Sequence, residues 1–201
     1  MNTDRPIKEF LAEAEDILTT AAQSLLDIED AQETGRVHPD LVNGLFRAIH
    51  SFKGLSGMFG LKAPAELSHK IEFLLDEVRL GKIGLARDTL DTLTDTLGLL
   101  SRLVQQIGKG KVTEDITGAL ERIERVLTAK PAAALEQPIL SQITIDPAVL
   151  QVLSEYEEHR LKENIRERKN LFLVRAAFSF AEFETSIRTL TETLKLHGEV
   201  I

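Results

Sequence analysis

A chain of 201 residues with 43% hydrophobic content is long enough to bury at least one full core. It holds no cysteine, which excludes a disulfide framework, a cysteine zinc site and a thiol nucleophile. Its formal net charge of -8, with acid and base mixed along the chain, argues against nucleic acid as a partner. No run approaches the ~18 to 20 apolar residues of a membrane span, and the opening MNTDRPIKEFLAEAED is too acidic and too amphipathic for a signal peptide. A cytoplasmic setting without membrane insertion is therefore expected.

From Ile7 to Asp30 the positions Phe10, Leu11, Ala14, Ile17, Leu18, Ala21, Leu25 and Ile28 recur at three- and four-residue spacing, which predicts one long amphipathic helix. Gly35 and Pro39 break it. Further helices are predicted over Pro39 to Phe59, Pro64 to Leu80, Leu85 to Ile107 and Thr113 to Leu127. Pro39 and Pro64 suit helix starts, and Gly60, Gly81 and Gly108 suit helix stops. The short connections imply antiparallel neighbours, hence a helical bundle over residues 1–128.

Residues 129–145, around TAKPAAALEQPILSQ, are rich in Ala and Pro without amphipathicity and read as a linker. Asp146 to about Lys169 then reads as a helix, with Asp146 as N-cap and Pro147 at the first helical position. Its charged half, EYEEHRLKENIRERK, places acid and base three and four apart, which favours a solvated, ion-paired face over a basic patch for a partner. LFLVRAAFSF, residues 171–180, is a strand candidate, followed by a helix over Ala181 to Leu196 and an apolar EVI. Residues 146–201 are thus expected to form a small helix-β-α-β segment, truncated in its second strand, at the end of the N-terminal fragment of a longer protein.

The segment AIHSFKGLSGMFG, residues 48–60, sets three glycines beside a histidine and a lysine. Each interior glycine costs a helix about 0.5–1 kcal/mol relative to alanine, so Gly54 and Gly57 weaken the element unless something must approach its surface. Leu45, Ile49, Phe52 and Phe59 form the core stripe, while His50, Lys53, Gly54 and Gly57 share another face, with His50 projecting outward. Neutral imidazole is a good nucleophile, and a phosphoryl group on Nε2 calls for nearby positive charge, which Lys53 can supply. On the third helix His69 and Glu72 lie three apart on one face, where an antiparallel neighbour can bring them beside His50. A Glu72 carboxylate accepting from Nδ1–H would leave Nε2 free and raise its nucleophilicity.

HSFKGLSGMFG resembles the His-x-x-Lys-Gly-x-x-Gly-x-x-Gly signature of histidine-containing phosphotransfer (HPt) domains, specifically those opening CheA-type chemotaxis histidine kinases. The resemblance covers about residues 5 to 128. It implies a five-helix domain with an antiparallel four-helix core, with His50 as phosphoryl acceptor and His69 and Glu72 of SHKIEFLLDE in support. Residues 146–201 are similar, less specifically, to a region following the HPt domain in some CheA-like kinases, which assigns them no chemistry.

Three rivals are weaker. A metal site built from His50, His69 and Glu72 would be opposed by Lys53 on the same face and leaves the glycines without a cause. GKGKVT, residues 108–113, lacks the spacing of a phosphate loop and follows a helix rather than a strand, so it reads as an interhelical connection. A non-catalytic helical interaction or scaffold bundle explains the helices but not Gly54 and Gly57. The expected function is therefore two-component phosphotransfer: His50 accepts a phosphoryl group from a kinase catalytic domain and donates it to an aspartate of a response regulator receiver domain. The chain is not a kinase alone, being expected to form part of a protein-histidine kinase. It is expected to hold no cofactor, ATP and magnesium belonging to the partner domains. His38, His159 and His197 lack the neighbouring lysine and glycines.

Overall fold

The structure, a computed structural model, describes residues 4–33, 37–110, 113–129, 143, 145–178 and 183–201. The chain divides into two compact units, Met1–Ala133 and Ala134–Ile201. Most of the Ala/Pro-rich stretch 129–145 lies outside the described residues.

Among the described residues the first unit holds five helices: α1 (Asp4–Glu33), α2 (Pro39–Met58), α3 (Lys62–Arg79), α4 (Arg87–Gly108) and α5 (Thr117–Thr128). Contacts run from α1 to α2, α2 to α3, α3 to α4 and α4 back to α1, closing a four-helix ring, while α5 packs on α3 and α4. The apolar stripe of α1 is the stripe expected from its period, with Phe10, Ala14, Leu18, Ala21, Leu25 and Ile28 all buried. It meets Leu45, Ile49 and Phe52 of α2, Leu67, Ile71, Leu74 and Leu75 of α3, and Leu93, Leu97, Leu100, Leu103 and Val104 of α4 in one core. The rings of Phe10 and Phe59 lie 5.3 Å apart, tying the start of α1 to the end of α2.

Local punctuation differs from expectation in two places. Helix α3 starts at Lys62, so Pro64 sits inside the first turn, where its missing N–H costs nothing. Gly108 is the last residue of α4 and not its stop; the left-handed residue is Gly110, at φ 69°. A Cβ on Gly108 would lie 3.2 Å from Leu11 Cδ1, so close approach of α4 to α1 accounts for that glycine. The GKGKVT stretch begins on the last residue of α4 and leads toward α5; its residues 111 and 112 are outside the described ones.

The second unit contains α6 (Pro147–Leu150), α7 (Glu155–Arg166) and α8 (Phe183–Lys195). The single helix expected over 146–169 is therefore two. Asp146 does cap α6, its Oδ1 accepting from the Ala148 N–H at 3.0 Å. Ser154 then starts a new helix with a capping box: its hydroxyl accepts from Glu157 N–H while the Glu157 carboxylate accepts from Ser154 N–H at 2.7 Å. Glu158 pairs with Lys162 at 2.8 Å and Glu163 with Arg166, so the charged run is ion-paired along its own helix.

Among the described residues the expected helix-β-α-β arrangement is not formed and there is no strand: 171–178 carry no regular structure, and neither does the terminal EVI. The apolar and β-branched content of LFLVRAAF suits a pleated surface, but a strand exists only where a neighbour completes its hydrogen-bond ladder. Residues 179–182, which include the end of the expected strand and the start of the expected helix, lie outside the described ones.

Candidate functional site

Helices α2 and α3 are joined by residues 59–61 alone, which forces them antiparallel side by side. Gly60, at φ 67°, makes the turn, and Leu61 N–H donates to Ser56 O at 3.0 Å. Leu45, Ile49 and Phe52 face the core, so His50, one residue past Ile49, comes out onto the surface between the two helices.

His50 Nδ1 lies 2.6 Å from Glu72 Oε1 and Lys53 Nζ lies 2.5 Å from Glu72 Oε2. One carboxylate thus holds two α2 side chains a single turn apart. The His50 side chain is 61% exposed and that of Glu72 12% exposed, so the support is largely covered while the imidazole is presented to solvent. Burial works to raise the Glu72 pKa, but the hydrogen bonds from His50 and Lys53 and their charges outweigh it and hold the carboxyl below its usual range. An ionised carboxylate can only accept, so the hydrogen of the bond sits on His50 Nδ1. In the neutral ring Nε2 then carries the lone pair. The arrangement leaves a nucleophilic nitrogen outermost on the ring.

Lys53 has a different setting from the one expected: its ammonium is bound to Glu72 and reaches the imidazole through the shared carboxylate. His69 is exposed on α3, and the hydrogen bond of the His50 Nδ1 goes to Glu72 and not to His69. Gly54 and Gly57 are exposed, and a Cβ built on either would meet nothing within 4 Å. Neither glycine is there to let α2 pack against its neighbours within this unit.

A second contact of His50 escaped the sequence reading. The Phe46 ring, one turn earlier on α2, lies 6.1 Å from the imidazole at an interplanar angle of 18°. The Arg79 guanidinium of α3 covers the same Phe46 ring at 4.3 Å from its centroid. Arg79 also donates to Asn43 Oδ1 at 2.8 Å and to Asp76 Oδ1 at 3.2 Å. The one signal for Phe46 in the sequence is its i,i+4 spacing from His50; nothing local points to Arg79. His38 serves elsewhere, as the N-cap of α2, its Nδ1 accepting from Asp40 N–H at 3.4 Å.

A family model described as Hpt domain matches residues 7–108. The chain is 32% identical over 173 residues to the chemotaxis protein CheA of Bacillus subtilis, a match covering 81% of this chain and 24% of that protein. It is 29% identical over 125 residues to the chemotaxis protein CheA of Halobacterium salinarum, covering 62% of this chain and 18% of that protein. The chain therefore spans about a quarter or less of the length of these relatives. Among solved structures, the solution structure of the histidine phosphotransfer domain of CheA superposes with a TM-score of 0.54 at 26% identity, over 67% of this chain and 99% of that one. The phosphorylated P1 domain of CheA3, in complex with CheY6 from R. sphaeroides, shares the fold, with a TM-score of 0.56 at 21% identity over 64% of this chain and 100% of that one.

Proposed function

This chain belongs to the Hpt domain family, and from that premise we propose that it is the phosphotransfer module of a CheA-type two-component relay, with His50 as the phosphoryl carrier. In the first step the Nε2 lone pair attacks the γ-phosphorus of ATP held with magnesium on a separate kinase domain. The N–P bond forms as the bond to ADP breaks. In the second step an aspartate oxygen of a receiver domain attacks the same phosphorus, and the N–P electron pair returns to Nε2. Glu72 stabilises the positive charge that the ring gains in each direction by accepting from Nδ1–H. Lys53 keeps Glu72 ionised, and His69 stands at the edge of the docking face. Gly54 and Gly57 leave the surface beside the imidazole flat, so that a partner's active site can close over Nε2.

The observation that carries this reading is the 2.6 Å contact between His50 Nδ1 and Glu72 Oε1 beneath an exposed imidazole. The test is to incubate the chain and its His50→Gln variant with ATP and a CheA-type kinase domain. Acid-labile phosphate is expected on the unaltered chain, transferable to a receiver domain, and none on the variant. Label retained by His50→Gln overturns the assignment.

A further inference from the structure

We propose that Phe46 and Arg79 are positioning residues for His50, fixing the plane of the imidazole that Glu72 holds by one atom. The inference rests on the phosphotransfer reading of His50. An imidazole that is 61% exposed is not held by burial. Its one hydrogen bond among the described residues, from Nδ1 to Glu72 Oε1 at 2.6 Å, fixes one ring atom and leaves the ring free to tilt, which swings Nε2 through an arc. The nearly parallel Phe46 ring, at 6.1 Å and 18°, is an offset aromatic contact that opposes that tilt. Phe46 is in turn capped by the Arg79 guanidinium at 4.3 Å. Arg79 is anchored on both helices, by Asn43 of α2 at 2.8 Å and Asp76 of α3 at 3.2 Å. The cluster therefore ties the imidazole plane to the α2–α3 pair rather than to one flexible side chain. A nucleophile misplaced by about 1 Å can lose ~100-fold in rate, so even a partial loss of this restraint is measurable.

Three variants of the 201-residue chain test it: Phe46→Leu, which keeps apolar bulk without a ring; Phe46→Tyr, which keeps the ring; and Arg79→Met, which keeps the stem without the guanidinium. Two readouts are taken beside thermal melting: the NMR order parameter of the His50 imidazole, and kcat and KM for phosphorylation by a CheA-type kinase domain with ATP. Phe46→Leu is expected to lower the ring order and to reduce kcat about tenfold with KM unchanged. Phe46→Tyr is expected to restore both, and Arg79→Met to give a smaller change in the same direction. Ring order unchanged in Phe46→Leu and Arg79→Met overturns the proposal, as does a kcat that follows melting temperature rather than ring order. Because ring order is read without any kinase, failure of the unaltered chain to be phosphorylated would count against the phosphotransfer reading alone.

Discussion

His50 and Glu72 stand 22 residues apart in the chain, yet their side chains meet at 2.6 Å. The contact sets which imidazole nitrogen is free. Removing the carboxylate should release both the tautomer and the charge compensation. Glu72→Ala is accordingly expected to slow phosphorylation of His50 more than about tenfold, the scale on which lost supporting carboxylates act at histidine ligands. Rapid-quench phosphorylation with a kinase domain measures it, and an unchanged rate would reduce Glu72 to a surface acid.

The same carboxylate gives the bundle a pH-dependent term of known sign. Glu72 has a folded-state pKa below the ordinary value of 4.5, because its bonds to His50 and Lys53 outweigh the effect of burial. The folded state thus binds its proton less readily than the unfolded chain. Its contribution to stability is fully present above about 4.5 and is lost as pH falls through the lower folded-state value. Melting temperatures of the unaltered chain and of Glu72→Gln, followed from neutral pH downward, should converge in the acid range below the usual carboxylate titration. A gap that stays constant would assign the difference to packing.

For Gly54 and Gly57 stability and transfer should move in opposite directions. A Cβ on either enters open space, so Gly54→Ala is expected to stabilise α2 by about 0.5–1 kcal/mol. Gly57→Leu should leave the bundle folded while phosphotransfer falls, because the new side chain holds a partner's active site away from Nε2. Thermal melting and a transfer assay on these two variants check the pair of statements; a Gly57→Leu chain that transfers at the original rate refutes the clearance role.

In the second unit, Glu199 accepts from Arg160 through both its oxygens, at 2.7 and 2.9 Å, and from Asn164 Nδ2 at 3.1 Å. This network fastens the residues after α8 to α7. Arg160 is left with an uncompensated, largely buried charge when its partner is removed. Glu199→Ala should therefore raise amide hydrogen exchange across residues 155–166 by about tenfold or more, with residues 39–79 of the first unit unaffected. Equal exchange across 155–166 in the two chains would show that the pair adds nothing.

The amphipathic periods of α1 to α5 were legible in the sequence because a helix closes its own hydrogen bonds within four residues and shows its buried face as a local repeat. The histidine, lysine and glycines of α2 were legible for the same reason: one helical turn sets their relation. Ser154 and Glu157 are also local: their spacing is that of a capping box, which marks a helix start inside the span whose charge pattern predicts a single helix. What the tertiary structure decided is every relation that crosses from one element to another. The register of α3 against α2 is what brings Glu72 to His50, hands Lys53 to that same carboxylate, and sets Arg79 over Phe46. A shift of one turn would change each of these while leaving the period of both helices intact. Residues 171–178 fail as a strand on the same ground: side-chain propensity is a property of the segment, whereas a strand's hydrogen bonds belong to its neighbour, and no neighbour among the described residues supplies them.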